Sequence, residues 1–305
     1  MSTVSSRPGM GWLRDYPDFR DFTMEQPAVS GRLKEMGRKR SVKDLLKTVG
    51  VPKSSNPGPP PTQDLRQYCS PIEDQESLGS CTANAGVGLV EYFERRAFGK
   101  HIDASRLFLY KVARNLLHST GDTGAYLRTT MAAMTLFGVP PTEYWPYNIV
   151  SFDEEPPAFC YAFAQNYQAI QFFRLDPYGT TNDVLLERIK LLLAAGLPSM
   201  FGFTVFSSIW DAEADGKIPF PAPGDRREGG HAVMAVGYDD KLKVKNPSPR
   251  GKETKGAFLI RNSWGPDWGE SGYGWLPYEY VSYGLAVDWW SLVKSEWIDT
   301  GAFQL

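Results

Sequence analysis

The sequence predicts an α+β fold in two lobes, a helical first half followed by an antiparallel, strand-rich second half. Three observations carry that expectation. Apolar residues recur at helical spacing between residues 82 and 137. After residue 199, short apolar runs alternate with Gly, Pro and Asp clusters. A Pro-rich stretch at 51–61 sets both halves apart from the first 50 residues.

Residues 1–30 are polar with interspersed aromatics, Trp12, Tyr16, Phe19 and Phe22. Between Gly31 and Gly50 a short basic helical pattern carries Leu33, Met36, Val42, Leu45, Leu46 and Val49 as its apolar members. The run from Pro52 to Pro61 reads as an extended, exposed linker, because proline fixes φ and removes backbone donors. The body is therefore placed at 62–305, with a helical lobe at about 75–160 and a β-rich lobe at about 165–293. Thr82–Phe98, Ser105–Leu117 and Leu127–Phe137 read as helices, the last ended by Gly138 and Pro140-Pro141. A further helix is expected over Asp183–Ala195. Strands are expected at Ser199–Val205, Ala232–Tyr238, Ala257–Arg261, Tyr273–Leu276 and Leu285–Val293.

Composition narrows the function classes. Of 305 residues, 42% are hydrophobic and 22% charged, as in ordinary globular proteins. The net charge of -2 gives no general reason to expect nucleic acid or a membrane as partner, and a monomer is expected. Residues 1–50 carry ten Lys/Arg against six Asp/Glu, a mildly basic arm before an acidic body. No run is apolar enough to span a bilayer, and the N-terminus lacks the apolar core of a secretory signal. A cytoplasmic chain, or one exported by a non-classical route, is expected. The three cysteines, Cys69, Cys81 and Cys160, include no C-x-x-C pair, which argues against a structural zinc site.

Cys81 follows a Gly-Ser turn and opens a predicted helix. Unpaired N–H groups and the helix dipole at that end favour an anion, which would lower the thiol pKa and strengthen a nucleophile. A small buried hydrophobe is the alternative. Of three histidines, His101 lies in a polar connection and His118 ends a helix. His231 stands after Gly229-Gly230, at the mouth of a strand, where glycines admit the close approach of another chain. A structural histidine is the alternative there. A catalytic imidazole needs a third group to orient it. Asn262 in Asn262-Ser-Trp-Gly265 is placed where an apolar strand breaks, and Trp264 could cover its bond to His231. Alone, that segment reads as a turn with an aromatic plug.

Together these segments resemble the papain family of cysteine peptidases (C1), in its bacterial, xylellain-like branch. The resemblance rests on three blocks in the family's order: Gln75-x5-Cys81, His231-Ala-Val-x-x-Val-Gly-Tyr238, and Asn262-Ser-Trp-Gly-x-x-Trp-Gly-x-x-Gly-Tyr273. A weaker fourth, Asp64-Leu-Arg66, looks like the start of the mature enzyme. The separation of 150 residues between Cys81 and His231 suits the family. The match covers about residues 62–293. Leu78 and Thr82 stand where the family usually has a cysteine and an aromatic residue, so its disulfide beside the active site is absent. Cys69 and Cys160 are left either to pair with each other or to remain buried thiols.

The resemblance implies a papain-like fold with the active site in a cleft between the lobes. It implies a Cys81 nucleophile, His231 as acid and base, Asn262 as orienter and Gln75 as oxyanion donor, acting on polypeptides through a thioester without metal or organic cofactor. Subsite walls are expected around Gly124 in Gly121–Tyr126, at Gly202, and at Gly229 and Gly230, beside Trp264. It further implies that the N-terminal segment acts in cis as an inhibitory pro-like arm, with part of residues 1–50 packed on the body. The rival readings are a transglutaminase-like acyl transferase, whose third group is usually acidic, and a catalytically silent binding protein that kept the fold.

Overall fold

The computed structural model describes residues 7–26, 29, 31–35, 37, 39–51, 58–167 and 171–303. The expected apolar Met36 and the 52–57 part of the Pro-rich stretch lie outside them. The elements in chain order begin with β1 (Trp12–Leu13), α1 (Gly31–Glu35), α2 (Val42–Thr48) and β2 (Thr62–Asp64). The helical part follows with α3 (Cys81–Phe98), α4 (Arg106–Leu116), β3 (Ala125–Tyr126), α5 (Leu127–Phe137) and α6 (Ala158–Ala164). Next come β4 (Gln171–Arg174), α7 (Asn182–Ala194), β5 (Ser199–Phe206), β6 (Arg227–Lys245) and β7 (Glu253–Arg261). The last are β8 (Tyr273–Pro277), α8 (Glu279–Ser282), β9 (Ala286–Val293) and α9 (Ser295–Ile298).

Local signals set the helix ends. Ser105 caps α4 by accepting the Phe108 N–H, and Thr181 caps α7 by accepting that of Val184. Ser41 and Asp44 form a reciprocal capping box on α2. Gly138, with φ of 76°, ends α5 as expected.

The antiparallel sheet runs β4-β9-β5-β6-β7-β8, with β2 also paired to β6. Helix α3 lies between the sheet and the other helices, and small residues permit it. Gly86 faces Thr130 and Met134 of α5, whereas Gly88 faces Arg261 and Met234 of the sheet. β6 is much longer than Ala232–Tyr238, and His231 lies inside it, paired with Phe203, not at the strand's mouth. Cys69, Cys81 and Cys160 are all free and buried, so the pairing of Cys69 with Cys160 is not made.

The N-terminal segment splits in two. α2 sinks Val42, Leu45 and Leu46 into the core against β4 and α9. Residues 7–26 form a strap over the body. In it, Trp12 is buried and Phe22 half-buried, while Tyr16 and Phe19 are exposed. The strap pairs in parallel with β3, Trp12 with Ala125 and Leu13 with Tyr126.

Candidate active site

Cys81 is the first residue of α3 and is completely buried. The backbone N–H groups of Ala232, Gly11, Thr82 and Cys81 favour its thiolate, as the helix-end argument expects, but burial outweighs them and pushes the thiol up to about 11. The expected lowering is therefore reversed with the strap in place. The reason is tertiary: Cys81 is completely buried once the chain is folded around the helix end.

The Ala232 that faces the thiol is the neighbour of His231. The buried imidazole donates from Nε2 to Asn262 Oδ1 at 2.8 Å. Burial pulls His231 down to about 4, and the Asn262 bond opposes that shift. Its Nδ1 is buried without a hydrogen-bond partner. Trp264 stacks on the ring, with centroids 4.7 Å apart and planes 29° apart, and is itself stacked on Trp210. Asn262 Oδ1 also accepts the Ser263 N–H at 2.9 Å, which fixes the amide.

Gln75 is buried beside the same helix end. Its Oε1 accepts the Ser263 hydroxyl at 2.6 Å. Its Nε2 donates to the Leu78 carbonyl at 2.8 Å and to the strap's Gly9 carbonyl at 2.9 Å. Tyr147 donates to the Gln75 carbonyl, and Gln75 receives a second tie through its own N–H to Ser263 O.

The four expected subsite glycines all face the strap. A Cβ at Gly124 would come within 2.3 Å of the Gly11 carbonyl, and one at Gly229 within 2.9 Å of Met10. At Gly202 and Gly230 it would strike the Trp12 indole, at 1.9 and 2.8 Å. The strap is as tightly fitted from its own side: a Cβ on Gly11 would lie 1.7 Å from the Gly79 carbonyl. Asp122 secures the Gly79 N–H at 3.0 Å.

Sequence reasoning missed Asp288. It is fully buried in β9, with φ of 62°. It accepts the indole N–H of Trp12 on Oδ2 at 3.1 Å and that of Trp290 on Oδ1 at 2.7 Å. The available signal was one charge inside the apolar run Ala286-Val-Asp-Trp-Trp-Ser-Leu-Val293. Also unforeseen was Arg128 of α5, which holds the strap through Asp15 and, at 2.8 Å, Asp21.

Comparison with known proteins identifies the family to which this fold and sequence belong. The family described as "Papain family cysteine protease" matches residues 59–288. An uncharacterized peptidase C1-like protein of Acanthamoeba polyphaga mimivirus is 32% identical over 95% of this chain and 88% of its own. Xylellain, a cysteine protease from Xylella fastidiosa, superposes with a TM-score of 0.70 at 31% identity, covering 96% of this chain and 99% of that one. The ragweed pollen cysteine protease Amb a 11, in its proform, shares the fold with a TM-score of 0.58 at 20% identity, over 82% of this chain and 68% of that one. With the family match over residues 59–288 and relatives of 31–32% identity along nearly the whole chain, the chain belongs to the papain family of cysteine proteases.

Proposed function

We propose that the chain hydrolyses polypeptides with Cys81 as nucleophile, and that residues 7–26 hold it shut. The observation that carries the catalytic part is the His231 ring. One nitrogen is tied to Asn262 at 2.8 Å and the other is buried with no partner, on the strand whose next N–H faces the thiol. An imidazole held in that way has one nitrogen left for a proton. Cys81 would give its proton to Nδ1, and the thiolate would attack the scissile carbonyl. His231 would then protonate the leaving amine, and water would hydrolyse the thioester. Gln75 Nε2 and the backbone N–H of Cys81 would stabilise the oxyanion. Asn262, not a carboxylate, as third group favours hydrolysis over a transglutaminase-like transfer.

The inhibitory part rests on the Gly9 carbonyl, which accepts the Gln75 amide where a substrate oxyanion would. The strap then runs on to put Trp12 against Gly202 and Gly230. A substrate has to place the residue in that pocket before its scissile carbonyl, so the strap lies in the opposite direction and offers no bond in register. Release of the strap would also free Cys81 and His231 from the burial that keeps both neutral.

Gly11→Val tests both parts in the full chain, since its side chain cannot pass the Gly79 carbonyl. We expect hydrolysis of a mixed pool of short peptides to rise at least about tenfold and to vanish on adding Cys81→Ala. A folded Gly11→Val chain that cleaves nothing would count against the peptidase reading. Equal hydrolysis with and without the substitution would count against the strap.

A further inference from the structure

We propose that Asp122 is a positioning residue for the oxyanion donor: it fixes the Leu78–Gly79 peptide, and that peptide sets which N–H of Gln75 is turned toward the substrate. The inference rests on the peptidase reading above and adds to it a residue that acts through Gln75.

The Gln75 amide has to be held in one orientation to serve. Its Oε1 accepts the Ser263 hydroxyl at 2.6 Å, and one Nε2 hydrogen goes to the Leu78 carbonyl at 2.8 Å. The other goes to the strap's Gly9 carbonyl at 2.9 Å and becomes free when the strap leaves. The Leu78 carbonyl therefore decides which hydrogen is left for an oxyanion. The far side of that peptide group is pinned. Its N–H belongs to Gly79 and lies 3.0 Å from each carboxylate oxygen of Asp122. A peptide group is planar, so fixing its N–H fixes the carbonyl on the opposite side. A carboxylate is a strong partner for an N–H, and it polarises the attached carbonyl toward the Gln75 hydrogen.

Asp122 is delivered from another part of the chain. It lies in the loop between α4 and β3. There the buried Tyr110 donates its hydroxyl to Asp122 Oδ1 at 2.5 Å and accepts the Gly124 N–H at 3.0 Å. The rest of the loop has separate supports. Arg114 donates to the Gly121 carbonyl at 2.5 Å, and Asp153 accepts the Gly121 N–H at 2.9 Å. Removing the Asp122 carboxylate thus releases the Leu78–Gly79 peptide while the loop keeps its other ties. Gly79 is fitted to the contact, since a Cβ there would lie 2.9 Å from Asp122 Oδ1. Leu78 offers no thiol and all three cysteines are free, so no disulfide joins this loop to the turn before Cys81, and the carboxylate does.

The test uses the full-length Gly11→Val chain, in which the strap is expected to be displaced. Asp122→Ala should lower kcat for short peptides at least about tenfold, with KM within about twofold. The loss should not exceed that of Gln75→Ala, because it acts through that side chain. In a chain already carrying Gln75→Ala, adding Asp122→Ala should change kcat less than about twofold. Asp122→Asn keeps an oxygen for the Gly79 N–H and should stay within about threefold of its parent. Alkylation of Cys81 by iodoacetamide, which forms no oxyanion, should be the same with and without the Asp122 carboxylate. Losses that multiply across the two substitutions, a matching loss of alkylation, or an unchanged kcat would overturn the proposal. A second readout needs no hydrolysis. The isotope-labelled Gln75 side-chain amide, assigned by its absence in Gln75→Ala, should exchange its protons with solvent at least about tenfold faster after Asp122→Ala. No cleavage by any form defeats the peptidase reading, and the exchange rate still decides the role of Asp122, which unchanged exchange would overturn.

Discussion

Asn262 and Gln75 each reduce to a bond that a substitution can remove. Asn262→Ala leaves the His231 N–H without the acceptor it holds at 2.8 Å. Loss of such a buried bond costs about 1–3 kcal/mol, or about 5- to 150-fold in rate. In the Gly11→Val chain, kcat/KM should fall by that factor, and an unchanged value in a folded variant would take Asn262 out of the mechanism. Gln75→Ala should cost about 10²–10³ in kcat as one lost oxyanion donor, with KM little changed. The pH profile distinguishes closed from open forms. Because burial holds the Cys81 thiol at about 11, the thiolate fraction in the wild-type chain grows as pH rises toward that value. Alkylation should therefore climb about tenfold per pH unit between pH 6 and 9. The strap-released chain should instead react quickly at neutral pH and climb less steeply. Cys81, His231 and Asn262 were each readable from their local setting, but only as alternatives. Gln75 entered solely through its spacing to Cys81 within the family blocks. The direction of the Cys81 shift was not readable, because it depends on burial by segments distant in sequence.

Strap, helix and bulge each behave as a unit. The strap is held by ion pairs from Arg128 to Asp15 and Asp21, with Asp21 nearly buried. Arg128→Ala should weaken that hold, and Cys81 alkylation in the full chain should rise about tenfold, given about 1.5–3 kcal/mol for hydrogen bonds to charged groups, at the low end here because the bonds are only partly buried. No change would place the anchor elsewhere. α2 is a different matter, since Leu45 and Leu46 are core residues. Leu45→Ala should destabilise the whole protein by about 2–5 kcal/mol in denaturant unfolding without releasing Cys81. The expected helices match the structure closely, since α5 has its Gly and Pro stops and α4 and α7 have caps in the sequence. β6 ran past Tyr238 because charged residues alternate through Asp239–Lys245 on its exposed continuation. β1 and β3 were not foreseen. Each is two residues long and exists through pairing with the other, so neither carries a period of its own. The bulge at Asp288, where β9 carries one more residue than β5 between two pairs, is likewise a property of the β5–β9 pairing.

At the scale of the molecule, three free thiols mean that no crosslink holds the lobes. The unfolding temperature should be the same with and without a thiol reductant. A drop of several degrees on reduction would reveal a disulfide. The division into helical and sheet parts was legible because each half has its own period. The closure of the cleft was not, since it joins residues 9–12 to positions 75, 81, 124, 202, 230 and 288, and no local pattern encodes such distances. The fold also explains why release should be sought by disrupting the strap alone. Cutting the chain near Thr62 would remove α2 from the core together with the strap.

We propose a Cys81–His231 pair able to work once the strap over it is removed. The most direct measurement compares peptide hydrolysis by the wild-type chain, Gly11→Val, and Gly11→Val with Cys81→Ala, all full length and checked for folding. Little turnover is expected in the first, at least about tenfold more in the second, and none in the third. Equal turnover in the first two would contradict the strap, and turnover surviving in the third would contradict Cys81 as the nucleophile.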